Sequence, residues 1–170
     1  MTRCVMTVML WSILVGSAAA PAAVTAQSDS APKSAGEPSA VTPEDRVKLA
    51  LQTGEKLKNP YTDNPQAIQE GNTVFQSTCA PCHGGGGGGA ICPPLSNEVW
   101  VYGSDDDVLF KLITLGSVEL QKLGYKRLRT ETVVGPMPPF GKIIKTDADL
   151  WKILAFVRSV YRGDPAKRNW

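Results

Sequence analysis

The chain has 170 residues, of which 42% are hydrophobic, 20% charged and 7% aromatic, with 16 Gly and 13 Pro, enough to bury one small core with tails around it. Its 18 Lys and Arg against 16 Asp and Glu leave a formal charge of +2, without the concentrated basic face that nucleic-acid binding needs. Nucleic acid is therefore not an expected partner.

Arg3, the apolar run from Val5 to Val15 and the small residues after it read as a secretory signal over residues 1–26, with Val24-Thr25-Ala26 as the cleavage pattern. The alternative is an uncleaved anchor, for which the run is shorter than the ~20 apolar residues of a spanning helix. No later stretch is apolar enough to span a bilayer, so the mature chain is expected to be exported and soluble. Loss of the signal removes Met1, Met6, Met9 and Cys4 and leaves Cys79, Cys82 and Cys92 with a single His83 and a single Met137. Three cysteines in an exported chain cannot all pair internally, so a disulfide framework accounts for them poorly.

Residues 27–63 are rich in Ala, Ser, Pro, Lys and Glu and bury too little apolar surface to offset the entropy of ordering. They are expected to form a flexible arm, within which Thr42-Pro43-Glu44-Asp45 signals a short helix to about Leu57. The ordered domain is placed at 64–165 and a tail at 166–170. Its first helix starts at Asp63 or Asn64 with Pro65 and carries Ile68, Gly71, Phe75 and Cys79 on one face.

Cys79-Ala80-Pro81-Cys82-His83 follows. Two thiols three positions apart with a His directly after the second match the attachment pattern of c-type haem, in which the thiols add to the porphyrin vinyl groups and the imidazole ligates iron. A thioredoxin-like pair would need a βαβ setting that is missing here. A zinc site from Cys79, Cys82, His83 and Cys92 would need adjacent Cys82 and His83 to converge on one ion, against the usual spacings.

Six glycines, Gly84 to Gly89, lead to Ile91-Cys92-Pro93-Pro94-Leu95; no Lys-Ser/Thr follows them, so they read as a loop and not as a phosphate cradle. Ser104 with Asp105 to Asp107 starts a second helix through Val108, Leu109, Leu112, Ile113 and Leu115, which Gly116 ends or kinks. The acids are assigned to helix-start electrostatics. Lys122, Lys126, Arg127 and Arg129 cluster in the following loop, whose default is solvation and whose alternative is docking of an acidic partner.

Met137 lies in Gly135-Pro136-Met137-Pro138-Pro139, whose prolines stiffen its loop. One reading is a core-filling Met; the other is a thioether on the sixth iron position, which raises the potential and closes the iron to oxygen and peroxide. A last helix runs from Thr146 or Asp147 through Leu150, Ile153, Leu154, Val157 and Tyr161 to near Gly163 and Pro165. No alternating strand pattern is present, which predicts an all-α domain of three to five helices with long loops around one covalent haem c.

These residues resemble class I cytochromes c over roughly 64–162. Gly71 and Phe75 stand where the family's first helix carries Gly and an aromatic, and Phe156 where its last helix carries an aromatic. The resemblance implies that these helices cross at close range. It also implies that Pro93 accepts a hydrogen bond from the haem-ligating His and that Leu95 packs on the haem, the first of which would set the His83 tautomer. Cys92 departs from the family's frequent Gly and is expected to be a small buried group, with an intermolecular disulfide as the alternative. Trp100 and Tyr102 are assigned either to core packing or to covering the haem and its propionates.

Asn59-Pro60-Tyr61, Cys92 to Leu95, Trp100 to Gly103, the Asp105 to Asp107 run and Val134 to Phe140 further resemble the periplasmic cytochromes, relatives of cytochrome cL, that accompany PQQ-dependent methanol and alcohol dehydrogenases. This implies a periplasmic one-electron carrier, not a catalyst, with a quinoprotein dehydrogenase as donor and a terminal oxidase or another cytochrome c as acceptor. The rivals are an open-haem sensor or peroxidase-like enzyme and a tightly bound dehydrogenase subunit.

Overall fold

Proline at the first helical position recurs in this chain, and in two places the residue before it caps the helix. In the computed structural model, which describes residues 41–131 and 135–170, helix α1 (Pro43–Thr53) has Thr42 accepting from the Asp45 amide. Helix α2 (Pro65–Thr78) has Asn64 accepting from the Ala67 amide. Each cap satisfies a backbone donor that has no helical partner. A single turn, α3 (Ala80–His83), follows α2 directly; α4 (Asp106–Lys122) and α5 (Asp147–Ser159) come after long loops. A 3-10 turn at Pro165–Lys167 follows α5. The fold is all-α, with no strand among the described residues.

Helices α2 and α5 form the principal crossing. Gly71 permits it: a Cβ there would fall well inside van der Waals contact of the Lys152 carbonyl and 2.8 Å from the Ile153 amide nitrogen. Phe75 and Phe156 meet at this crossing with ring centroids 4.9 Å apart. Phe110 of α4 packs on Trp151 of α5 at 4.3 Å, and Leu150, Ile153 and Leu154 complete a buried core. Helix α5 stops at Ser159, earlier than expected, although Tyr161 beyond it is still buried.

The arm expected over 27–63 needs correction from Val41 onward. Val47, Ala50 and Leu57 are buried in the core cluster, and α1 packs on α4 and α5. Buried acids hold the connection to α2. Asp107 accepts from the Leu57 amide at 3.2 Å and pairs with Lys111 at 2.8 Å. Asp106 accepts from the Asn59 amide at 3.0 Å and pairs with Arg158 at 2.9 Å. Asp106 and Asp107 are thus internal clasps, where helix-start electrostatics had been expected. The expected signal at 1–26 and the arm over 27–40 lie outside the described residues.

The tail expected at 166–170 is also engaged. Trp170 sits edge-on to Tyr161 at 5.1 Å and to Trp100 at 6.0 Å, and the Arg158 guanidinium lies 4.0 Å from its ring centre. Burying a cation with Nε and Nη1 unpartnered makes Arg158 depend heavily on Asp106. Asp106→Asn removes the charge partner and should cost about 3–5 kcal/mol; a urea midpoint equal to that of the wild type would refute this.

Candidate functional site

The Cys79 to His83 segment wraps one turn because α2 ends at Cys79 and α3 begins there. The His83 amide donates to the Cys79 carbonyl at 2.9 Å, which places both thiols and the imidazole on consecutive turns. All three side chains are half-buried. His83 Nδ1 lies 2.8 Å from the Pro93 carbonyl oxygen. A proline carbonyl can only accept, so Nδ1 carries the hydrogen and Nε2 is left with its lone pair free.

The glycine run is a wrapped loop that fastens this side of the site. Gly89 donates to the His83 carbonyl at 2.8 Å, and the Gly87 carbonyl accepts from the Leu95 amide at 2.7 Å. Cys92 donates its amide to the Cys82 carbonyl at 3.0 Å and is half-buried. Burial pushes the Cys79 and Cys92 thiols up, opposite to the lowered value of a redox-active Cys-x-x-Cys. Among the described residues no three His, Cys, Asp or Glu side chains gather as a metal cluster, which removes the basis of the zinc alternative.

Met137 is placed by α4. At Gly116 (φ 76°, ψ 165°) the helix breaks, and the Met137 loop runs along the break, bonded to Ser117 through both peptide groups of Met137. A cleft of about 690 Å³ is lined by Gly88 to Pro94 together with Thr130 and Glu131. Leu95, Trp100, Leu112, Ile113 and Phe140 pack against the core yet remain only partly buried.

The structure brings His83, Pro93 and the two thiols into one constellation. It distributes the aromatic candidates differently. Tyr102 is buried with its hydroxyl accepting from Gln121 Nε2, while Trp100 stacks on Tyr161 with the Arg158 guanidinium 5.1 Å from the Trp100 ring centre. Trp100 packs against the core cluster, and Tyr102 is buried. In the basic cluster Lys122 pairs with Glu119 at 2.6 Å, and Lys126, Arg127 and Arg129 stay exposed. Ser117 is not singled out by the sequence, whereas Asp106 and Asp107 are, but for helix-start electrostatics and not as clasps. The one available signal for Ser117 was its place after a glycine inside a helical pattern.

The family model for cytochrome c matches residues 68–161. The chain belongs to the cytochrome c family. The cytochrome is similar to the cbb3-type cytochrome c oxidase subunit FixP of Azorhizobium caulinodans, at 33% identity over 71% of this chain and 41% of that one. It is also similar to cytochrome c-L of Methylorubrum extorquens, at 28% identity over 73% of this chain and 54% of the relative. It therefore spans about half or less of the length of these curated relatives. Among solved structures it resembles cytochrome cL from Hyphomicrobium denitrificans, with TM-score 0.52 and 26% identity over 73% of this chain and 63% of that one. Cytochrome cL from Methylophaga aminisulfidivorans matches with TM-score 0.52 and 29% identity, covering 73% of each chain.

Haem c, covalently bound, is the cofactor of this cytochrome. The residues present fit it: two unpaired half-buried thiols, an imidazole with Nε2 free, and apolar side chains left partly unburied around the core. When bound, the haem iron supplies a one-electron couple. No helix among the described residues is long and apolar enough to cross a membrane.

Proposed function

We propose that Cys79 and Cys82 carry the two thioether attachments, that His83 Nε2 and the Met137 thioether take the axial positions, and that Pro93 and Leu95 support the histidine face. The observation that carries this is the 2.8 Å contact of His83 Nδ1 with the Pro93 carbonyl, which aims Nε2 and holds it in one tautomer. With both axial positions closed, the protein moves single electrons and does not bind a substrate at iron. The chain's own contribution is a ligand frame that hardly changes with oxidation state, because it is built on α2, α3 and loops packed on the core that α2, α4 and α5 share.

The donor in this reading is a PQQ-dependent methanol or alcohol dehydrogenase, and the acceptor is a terminal oxidase or another cytochrome c. The setting is the periplasm, after removal of residues 1–26. Similarity to cytochrome cL over 73% of the chain supports the donor. The test is reduction of the purified ferric protein by a PQQ-dependent methanol dehydrogenase with methanol, followed at the haem bands. Rapid, saturable reduction that slows as salt screens the encounter is the expected result. A low-spin protein that stays oxidised overturns the donor. The FixP similarity supports a second reading, a bound oxidase subunit; this predicts co-purification with the partner at moderate salt, which a diffusing carrier does not show.

A further inference from the structure

We propose that Ser117 is the positioning residue for the methionine assigned as ligand, holding the Met137 loop closed against α4 through a side-chain bond to its backbone. This rests on the assignment of Met137 as axial ligand. The physical basis is the break in α4. At Gly116 the helical ladder is interrupted, so the carbonyls of Ile113 and Thr114 and the amide of Ser117 need partners outside the helix.

The Met137 loop supplies all three. Phe140 donates to the Ile113 carbonyl at 2.9 Å, Gly141 donates to the Thr114 carbonyl at 3.1 Å, and the Met137 carbonyl accepts from the Ser117 amide at 2.9 Å. The Met137 amide is then the group left over, and Ser117 Oγ accepts from it at 3.0 Å. One residue therefore grips the methionine on both sides of its α-carbon. Any non-proline residue at 117 offers the amide, but an oxygen that accepts so close to the backbone belongs to the short polar side chains, Ser, Thr, Asn and Asp, of which the two hydroxyls carry no charge or amide into a buried position. Ser117 is buried, so water does not readily replace the hydroxyl. Gly116 must lack a side chain for the grip to form, since a Cβ there would lie 2.8 Å from the Met137 carbonyl oxygen and 2.8 Å from the Pro139 nitrogen.

Losing the hydroxyl leaves the Met137 amide without an acceptor in the closed loop and not in the open one, which shifts the loop toward opening. An open loop exposes the sixth position, so carbon monoxide binding to the ferrous protein reports it directly. In the full-length haem-loaded protein, Ser117→Ala should bind carbon monoxide about tenfold faster than the wild type. It should also weaken the ferric thioether-to-iron band and lower the midpoint potential, with far-UV dichroism unchanged. Ser117→Thr restores the closed behaviour. Asn64→Ala is the control: it removes the α2 cap, destabilises the fold, and touches nothing in the loop.

Carbon monoxide binding in Ser117→Ala at the wild-type rate overturns the proposal. So does an equal acceleration in Asn64→Ala, which would mean general loosening. A wild-type protein lacking the thioether band overturns instead the assignment of Met137, so the two failures are distinguishable.

Discussion

Gly71→Ala should prevent α2 and α5 from closing, with a loss of about 3–5 kcal/mol or failure to accumulate folded protein. The added methyl meets the Lys152 carbonyl and the Ile153 amide, both backbone, at distances that no rotamer change relieves. The helices must move apart, and the Phe75 to Phe156 contact opens with them. Overpacking alone costs about 1–3 kcal/mol, and exposing parts of a packed core adds to it. Against a total stability of about 5–15 kcal/mol that is a large share. Gly86 is the matched control, because a Cβ there meets nothing within 4 Å; Gly86→Ala should unfold at the wild-type midpoint. Equal urea midpoints for the two variants would refute the close-crossing argument.

Met137→Ala should abolish the ferric thioether-to-iron band, lower the potential and open the iron. A site that is open for about 1% of the time binds an external ligand at about 1% of its intrinsic strength. Permanent opening therefore raises carbon monoxide affinity by about a hundredfold. The same substitution is mild for stability if Met137 only fills space, since it is half-buried at the end of a proline-stiffened loop. A variant that keeps the band and the potential would return Met137 to a packing role and leave the sixth position to another group.

Much of the helical framework was legible because helix starts are local. Asn64 before Pro65 and Thr146 before Asp147 carry their capping chemistry within three or four residues, and the glycine at 116 breaks its helix through its own φ of 76°. The arm was misjudged because burial is not local. A composition average over 27–63 hides Val47, Ala50 and Leu57, which are buried only because α4 and α5 provide a surface for them. The acids of α4 were misassigned for the same reason. Asp106 and Asp107 look like a helix start, yet their partners Asn59, Leu57 and Arg158 lie about fifty residues away in sequence. Lys111 is the exception, a local partner four residues on.

Residue types and their spacing set the chemistry that the chain can carry. Paired thiols with an adjacent imidazole, and one methionine outside the first 26 residues, name a haem and its candidate ligands, because covalent attachment and ligation depend on which atoms are present and how closely they follow one another. Tertiary structure alone decided how those atoms are held. The Pro93 carbonyl, whose bond to His83 the family resemblance implies, selects the tautomer only in the folded chain, and Ser117 grips Met137 across a break in another element. Each is a hydrogen bond that is directional and short in range, so it exists only once the helices have crossed and the loops have been drawn over the core.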